Sequence, residues 1–276
     1  MTLSERNIFL KTGIFFCIAV ILLIIAASFL TVPIYPEIEE NSQRPDYYFQ
    51  FFTGMIIGNN YYAVHTALVL AAVFSLVGMI LIHAFFERTP TPEILYIAFF
   101  ALSLSLEALR LFLPLDFVFN FPSFYLRITT KVLLFVRFFG VFSLFTAGLC
   151  AAGLDVQKAR NAIFIIIVAA LVITLGVPID VHSWDTGFNM TSGYITTFRL
   201  IELVVFITTM VSFFIAAKTR DSKEYINVAI GVSLTLIGRN ILLGTDNWIG
   251  CGLGISLLSF GTLFLCSKVH KIYLWL

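Results

Sequence analysis

The chain has 276 residues, a formal net charge of +1, and is 59% hydrophobic with only 12% charged residues. Soluble domains carry about 25% charged residues, and the apolar residues here fall in runs of about twenty, the length that crosses a bilayer as a helix. This balance excludes a soluble globular domain and offers nucleic acid no basic surface.

The first run, from Thr12 to Pro33, follows Arg6 and Lys11. It exceeds the roughly 7–15-residue core of a signal peptide, so it reads as a retained signal anchor. Seven further runs follow, and the spans are predicted at 9–32, 61–85, 93–113, 124–150, 162–178, 194–217, 225–243 and 248–267. The fifth is the shortest. Only Gly244, Thr245, Asp246 and Asn247 part the last two, which leaves a single broken or re-entrant element as the alternative there. The expected fold is an all-α, polytopic helical bundle of about eight transmembrane helices, forming a single transmembrane domain over 1–276.

Orientation follows from the basic residues between the spans. With the N-terminus inside, the cytoplasmic segments hold Arg6, Lys11, Arg88, Lys158, Arg160, Lys218, Arg220, Lys223, Lys268 and Lys271, against a single Arg44 outside. Both termini are therefore expected in the cytoplasm, in a plasma or bacterial inner membrane. The outer side is acidic, with Asp116, Asp180, Asp185 and Asp246 among its residues. The outer loop at 34–60 contains Tyr47, Tyr48, Phe49, Phe51 and Phe52, an aromatic group suited to the headgroup level. Asn189-Met190-Thr191 matches a glycosylation acceptor, a pattern frequent by chance. The inner connections and the segment after Ser267 are too short for a catalytic or signalling domain, so any output domain is expected on a separate membrane or cytoplasmic subunit.

The chemistry-bearing residues are the charges inside the spans: Glu107, Arg110, Arg127, Lys131, Arg137, Arg199, Glu202 and Arg239. Each costs roughly 2.5–3.5 kcal/mol near a bilayer centre on insertion scales, so the fold must compensate them. Topology puts nearly all of them in the outer half, with Asn240 beside Arg239 and His65 at the same level. Glu107 and Arg110 are three apart, as are Arg199 and Glu202, and each pair can share a helix face. Lys131 and Arg137 are separated by about 240° around their helix. Subtracting the acids leaves an excess of positive charge of roughly four, an arrangement that suits a phosphate, a carboxylate or a lipid headgroup. The candidate ligand-binding residues are therefore Glu107, Arg110, Lys131, Arg137, Arg199, Glu202, Arg239 and Asn240. Arg127 lies close enough to its helix end to snorkel to the headgroups, and the deeper charges could instead form salt bridges that fix helix register. Arg110 and Arg239 each precede an outer aspartate at a span end, a hint of a four-plus-four repeat.

Other chemistry finds no support. His65, His83, His182 and His270 lack metal-ligand spacing, and neither a Gly-rich phosphate loop nor a nucleophile elbow is present, so no cofactor is expected. Cys17, Cys150, Cys251 and Cys266 read as small buried apolar residues. Gly250 and Gly254 form a small-xxx-small pair, expected to serve packing inside the bundle. The function expected is a transporter or flippase-like membrane subunit that takes an anionic small molecule or lipid headgroup from the outer face among membrane lipids. The alternatives are a receptor or scaffold subunit acting through a partner, and a lipid-phosphate enzyme using Glu107 or Glu202 as base.

Overall fold

The computed structural model describes residues 3–36, 60–86, 92–154, 159–184 and 187–274. The aromatic group at 47–52 lies outside these residues, as do Arg44, Arg88, Lys158 and Asp185. Eight long helices form among the described residues: α1 (Leu3–Thr31), α2 (Tyr61–Phe86), α3 (Pro92–Glu107), α4 (Ser123–Ala151), α5 (Ala159–Leu175), α6 (Ile195–Thr219), α7 (Glu224–Gly244) and α8 (Trp248–Leu274). Seven of them are long and apolar enough to cross a membrane, α3 only together with the helical turns that continue it to Phe119. The exception is α5, whose 17 residues reach only about 25 Å at 1.5 Å per residue. Helices suit these runs because a chain in hydrocarbon must satisfy its backbone hydrogen bonds internally. Many serines and threonines follow the same rule. Thr130, Ser143, Thr146 and Thr174 each donate to the carbonyl four residues earlier, so their hydroxyls need no outside partner.

The helix ends sort into two layers. At one end Arg6 donates to the Phe86 carbonyl at 2.6 Å, Tyr273 bonds Glu93, and Arg220 bonds the Cys150 carbonyl at 3.3 Å. These contacts join the start of α1, the end of α2, the start of α3, the ends of α4 and α6, and the end of α8. This is called the terminal end below. At the other end Tyr35 meets His65 at 2.8 Å, and Asn60 donates to the Asp246 carbonyl at 2.8 Å. Successive long helices thus alternate in direction between these two ends.

The helix α3 lies deepest. Its apolar window is 83% buried, whereas the other candidate spans run from 28% to 56%. It does not stay α-helical to its end. After Glu107 the chain tightens into a 3-10 stretch, Ala108–Leu115, with Pro114 inside, then makes a single turn over Asp116–Phe119. Pro114 has no N–H to give, and 3-10 runs of this length are uncommon. The predicted span 93–113 therefore has two conformations, and its second part faces the candidate site.

The division between the last two spans is resolved as two helices. α7 and α8 pack along each other so closely that a Cβ on Gly238 would strike the backbone of Leu257 and Leu258, and one on Gly254 would strike that of Leu242. Gly231 and Gly261 repeat the contact one heptad away, against Leu265 and Thr235. With no hydrophobic drive between helices in lipid, small residues that admit close backbone approach hold such pairs together. Gly254 therefore serves packing inside the bundle, as expected, while Gly250 packs on Thr245 and Asn247 of the turn.

One element was not expected. Residues after α5 form an antiparallel hairpin, β1 (Ile179–Trp184) with β2 (Met190–Ser192), irregular in register between Ile179 and Trp184. Its turn residue Phe188 has φ 54° and is 3% exposed. The ring stacks on Tyr35 at 5.4 Å and on Tyr61 at 5.7 Å. This packing holds a non-glycine residue in the left-handed region and pins the hairpin across the ends of α1 and α2. Burial pushes the Tyr35 phenol up to about 12, so it stays neutral where it meets His65.

Candidate functional site: a basic cavity under the hairpin

A cavity of about 580 Å³ opens at the hairpin end, within the range of small-molecule sites. Its walls come from α4, the 3-10 stretch, the hairpin, the first turns of α6 and the end of α7. Five of the eight candidate residues line it: Arg110, Arg137, Arg199, Glu202 and Asn240. Thr130 from α4 and Asn189, Thr191 and Ser192 from the hairpin add polar groups. Leu133, Phe138, Ile195 and Phe198 form apolar wall.

Glu107 and Arg239 sit directly behind the cavity rather than in it. They form an ion pair whose side chains are only 2% and 1% exposed. The same guanidinium bonds the Asn240 side chain at 3.2 Å and the Arg137 carbonyl at 3.4 Å. Its Nε has no hydrogen-bond partner among the described residues. Arg239 therefore ties α7 to α3 and α4 at the cavity floor.

Arg137 lies near the midpoint of the 29-residue α4. It grips Glu202 of α6 with two parallel bonds, Nε to Oε1 at 2.5 Å and Nη2 to Oε2 at 2.9 Å. The side chain of Arg137 is nevertheless 38% exposed, which at this depth means that it faces the open cavity. Arg110 is 4% exposed and donates to the carbonyls of Gly187 and Leu243 at 3.3 and 3.2 Å. Leu243 is in the last turn of α7, where carbonyls lack helical partners, so Arg110 links the helix end to the hairpin.

Arg199 differs from all of these. It is exposed, lines the cavity and lies within electrostatic reach of Glu202. Among the described residues it has no hydrogen-bond or ion-pair partner. Four guanidinium groups and two carboxylates thus line or back the cavity, an excess of two positive charges among the described residues. The excess is smaller than the sequence suggested, because two cations lie elsewhere.

Lys131 is the candidate that the structure removes. Its Nζ donates to the Leu175 carbonyl at 2.9 Å, at the end of α5, and it does not line the cavity. Helical geometry already turned Lys131 away from Arg137, and an unpartnered helix-end carbonyl supplied it with a different acceptor. Arg127 is exposed near the start of α4, consistent with the snorkelling expected of it. The pairing is also corrected. The acids do not neutralise the arginines three residues away on their own helices. Glu107 takes Arg239 and Glu202 takes Arg137, across helices, because facing helices can present a guanidinium fork squarely to a carboxylate.

Sequence reasoning missed the hairpin's share of the site. Asn189 and Thr191 drew notice only as a glycosylation pattern. The alternation of small polar and apolar residues after Pro178 was the available signal. It also missed the ionisable cluster at the terminal end around Glu93 and Arg220, residues that had seemed a span boundary and a loop charge.

The fold and its apolar helices define an all-α, multi-pass bundle of the membrane-integral type. No family model matches the chain. An uncharacterized protein of Treponema pallidum (strain Nichols) is 20% identical over an alignment of 240 residues, which covers 69% of this chain and 69% of that one. The two are similar along most of their lengths, and the similarity brings no activity with it.

Proposed function

We propose that this protein binds an anion, as a phosphate, a carboxylate or a lipid headgroup, in the hairpin-end cavity, and carries it as a transporter or flippase-like membrane subunit. The observation that supports this is Arg199, a guanidinium without a partner among the described residues, facing a cavity in which Arg110 and Arg137 are already fixed by other partners. A bidentate oxyanion completes such a donor set. The described basic residues between the spans gather at the terminal end, which supports reading that end as cytoplasmic and the hairpin end as the side of entry. A cavity open at one end and closed at the other corresponds to one state of an alternating carrier. The test is uptake into proteoliposomes of three probes: inorganic phosphate, benzoate, and short-chain phosphatidic acid presented in phosphatidylcholine vesicles. Flux of at least one probe, lost in Arg199→Gln, is the expected result. No flux of any probe counts against carriage.

A second reading has its own support. The cavity floor is sealed by the Glu107–Arg239 pair and the packed core beneath it, including Leu104 and Leu144, both 0% exposed. A closed floor also suits a receptor that binds without translocation and signals through a partner subunit. Saturable binding without flux, together with a co-purifying partner, would favour it.

A further inference from the structure

The cavity leaves a second group of buried ionisable side chains unused. Glu93 stands in the first turn of α3 at the terminal end and is 3% exposed. The Tyr273 hydroxyl, from the end of α8, donates to its carboxylate and lies 2.9 Å from each oxygen. Among the described residues the cation closest to it is Arg220, just beyond α6, with Nη2 3.9 Å from Oε1. That distance is an attraction without a hydrogen bond. The Arg220 guanidinium donates instead to the Tyr225 hydroxyl at 2.8 Å and the Cys150 carbonyl at 3.3 Å. Five helices therefore meet on one carboxyl group and one guanidinium.

We infer that Glu93 is a proton-binding site whose protonation opens this end of the bundle. Ionised, the carboxylate accepts from Tyr273 and attracts Arg220, and so ties α3 to α8 and to the end of α6. A proton from the aqueous phase at this end adds to one carboxylate oxygen and removes the negative charge, which ends the attraction to Arg220 and weakens the bond from Tyr273 to that of a neutral pair. Among the described residues the carboxylate has one phenol donor and no hydrogen-bonded cation, so its charge is only partly compensated. Beside Glu93 lies a void of about 10 Å³, which Tyr225 and Tyr273 also line, at the lower limit for one water.

Among the described residues few groups face Glu93. Tyr273 comes from α8, Arg220 from beyond α6, Tyr225 from α7, and the Cys150 thiol from α4 lies within electrostatic reach. Tyr96, one turn along α3, is buried. Of the neighbours at this end, Arg6 is occupied by the Phe86 carbonyl, and His270 packs on the Phe85 and Phe86 rings. His83 lies in the last turn of α2. The proton site stands on this cluster alone; that its opening serves release of an anion rests on the carrier reading above.

The experiment uses the full chain in liposomes without ligand, so its outcome does not depend on the cavity. Cys150 is 1% exposed and serves as reporter after Cys17→Ser, Cys251→Ser and Cys266→Ser. The maleimide labelling rate of Cys150 is divided by that of a free thiol at the same pH, because the thiolate fraction of any thiol falls with pH. On acidification, this normalised rate is expected to rise several-fold. Infrared spectra should gain the carbonyl band of a neutral carboxylic acid at the same midpoint. With Glu93→Gln, the normalised rate should be high at every pH and that band absent. A normalised rate that ignores pH in the unsubstituted protein overturns the inference, as does a pH response that survives Glu93→Gln. If Glu93→Gln does not fold, Tyr273→Phe removes the phenol donor and should displace the infrared midpoint; an unmoved midpoint overturns the inference equally. A protein that titrates in this way but binds no anion would leave the site standing and overturn the carrier reading.

Discussion

Removing either member of the buried pair Glu107–Arg239 strands the charge of the other among apolar neighbours. Arg239→Met alone should therefore lower stability by about 3–5 kcal/mol, and Glu107→Leu with Arg239→Met should recover most of that loss. Thermal unfolding in detergent, followed by size-exclusion chromatography, measures both. Among the described residues Arg199 has no partner to strand, and Lys131 has only a helix-end carbonyl. Arg199→Gln and Lys131→Gln should each leave stability within about 0.5 kcal/mol. They should differ in binding, since only Arg199 faces the cavity. The sequence showed that these charges needed compensation, because the cost of a bare charge in lipid is independent of fold. It did not show the partners. Spacing along one helix identifies neighbours three or four residues apart, whereas Glu107 and Arg239 meet because α3 and α7 are adjacent, a fact that no local pattern encodes.

At the scale of the element, the close approach of α7 and α8 makes one substitution costly and another neutral. Gly238→Ala places a methyl group in the backbone of Leu257 and Leu258, whereas a Cβ on Gly252 meets nothing within 4 Å. The first should cost about 1–3 kcal/mol by overpacking, and Gly252→Ala should not destabilise; the same unfolding assay separates them. The hairpin depends on the Phe188 ring between Tyr35 and Tyr61. Phe188→Ala should speed amide hydrogen exchange over residues 187–193 while α3 stays protected. Apolar runs revealed every long helix, because hydrocarbon leaves the backbone few alternatives. The hairpin and the 3-10 stretch escaped for the converse reason. They sit at the bundle end, where water and side chains can satisfy the backbone, so composition no longer dictates conformation.

For the whole molecule, the two end layers can be addressed separately. Thr191→Cys lines the cavity, and Lys223→Cys is exposed at the terminal end. In sealed cells a membrane-impermeant maleimide should label the first from outside and reach the second only after lysis; the reverse pattern would invert the orientation. The basic loops are the ground for expecting this polarity, because positively charged segments are retained on the cytoplasmic side, while the contacts at the terminal end were visible only once α3, α6 and α8 were brought together. The central claim is the anion cavity, and the most direct measurement is equilibrium binding of radiolabelled phosphate, benzoate and short-chain phosphatidic acid to the purified protein. At least one probe should bind saturably, less tightly as salt rises. Arg199→Gln should weaken it about tenfold or more, the loss of a charge-assisted hydrogen bond, and Lys131→Gln should leave it unchanged. Saturable binding of none of the three, or equal binding by Arg199→Gln and the unsubstituted protein, would contradict the account.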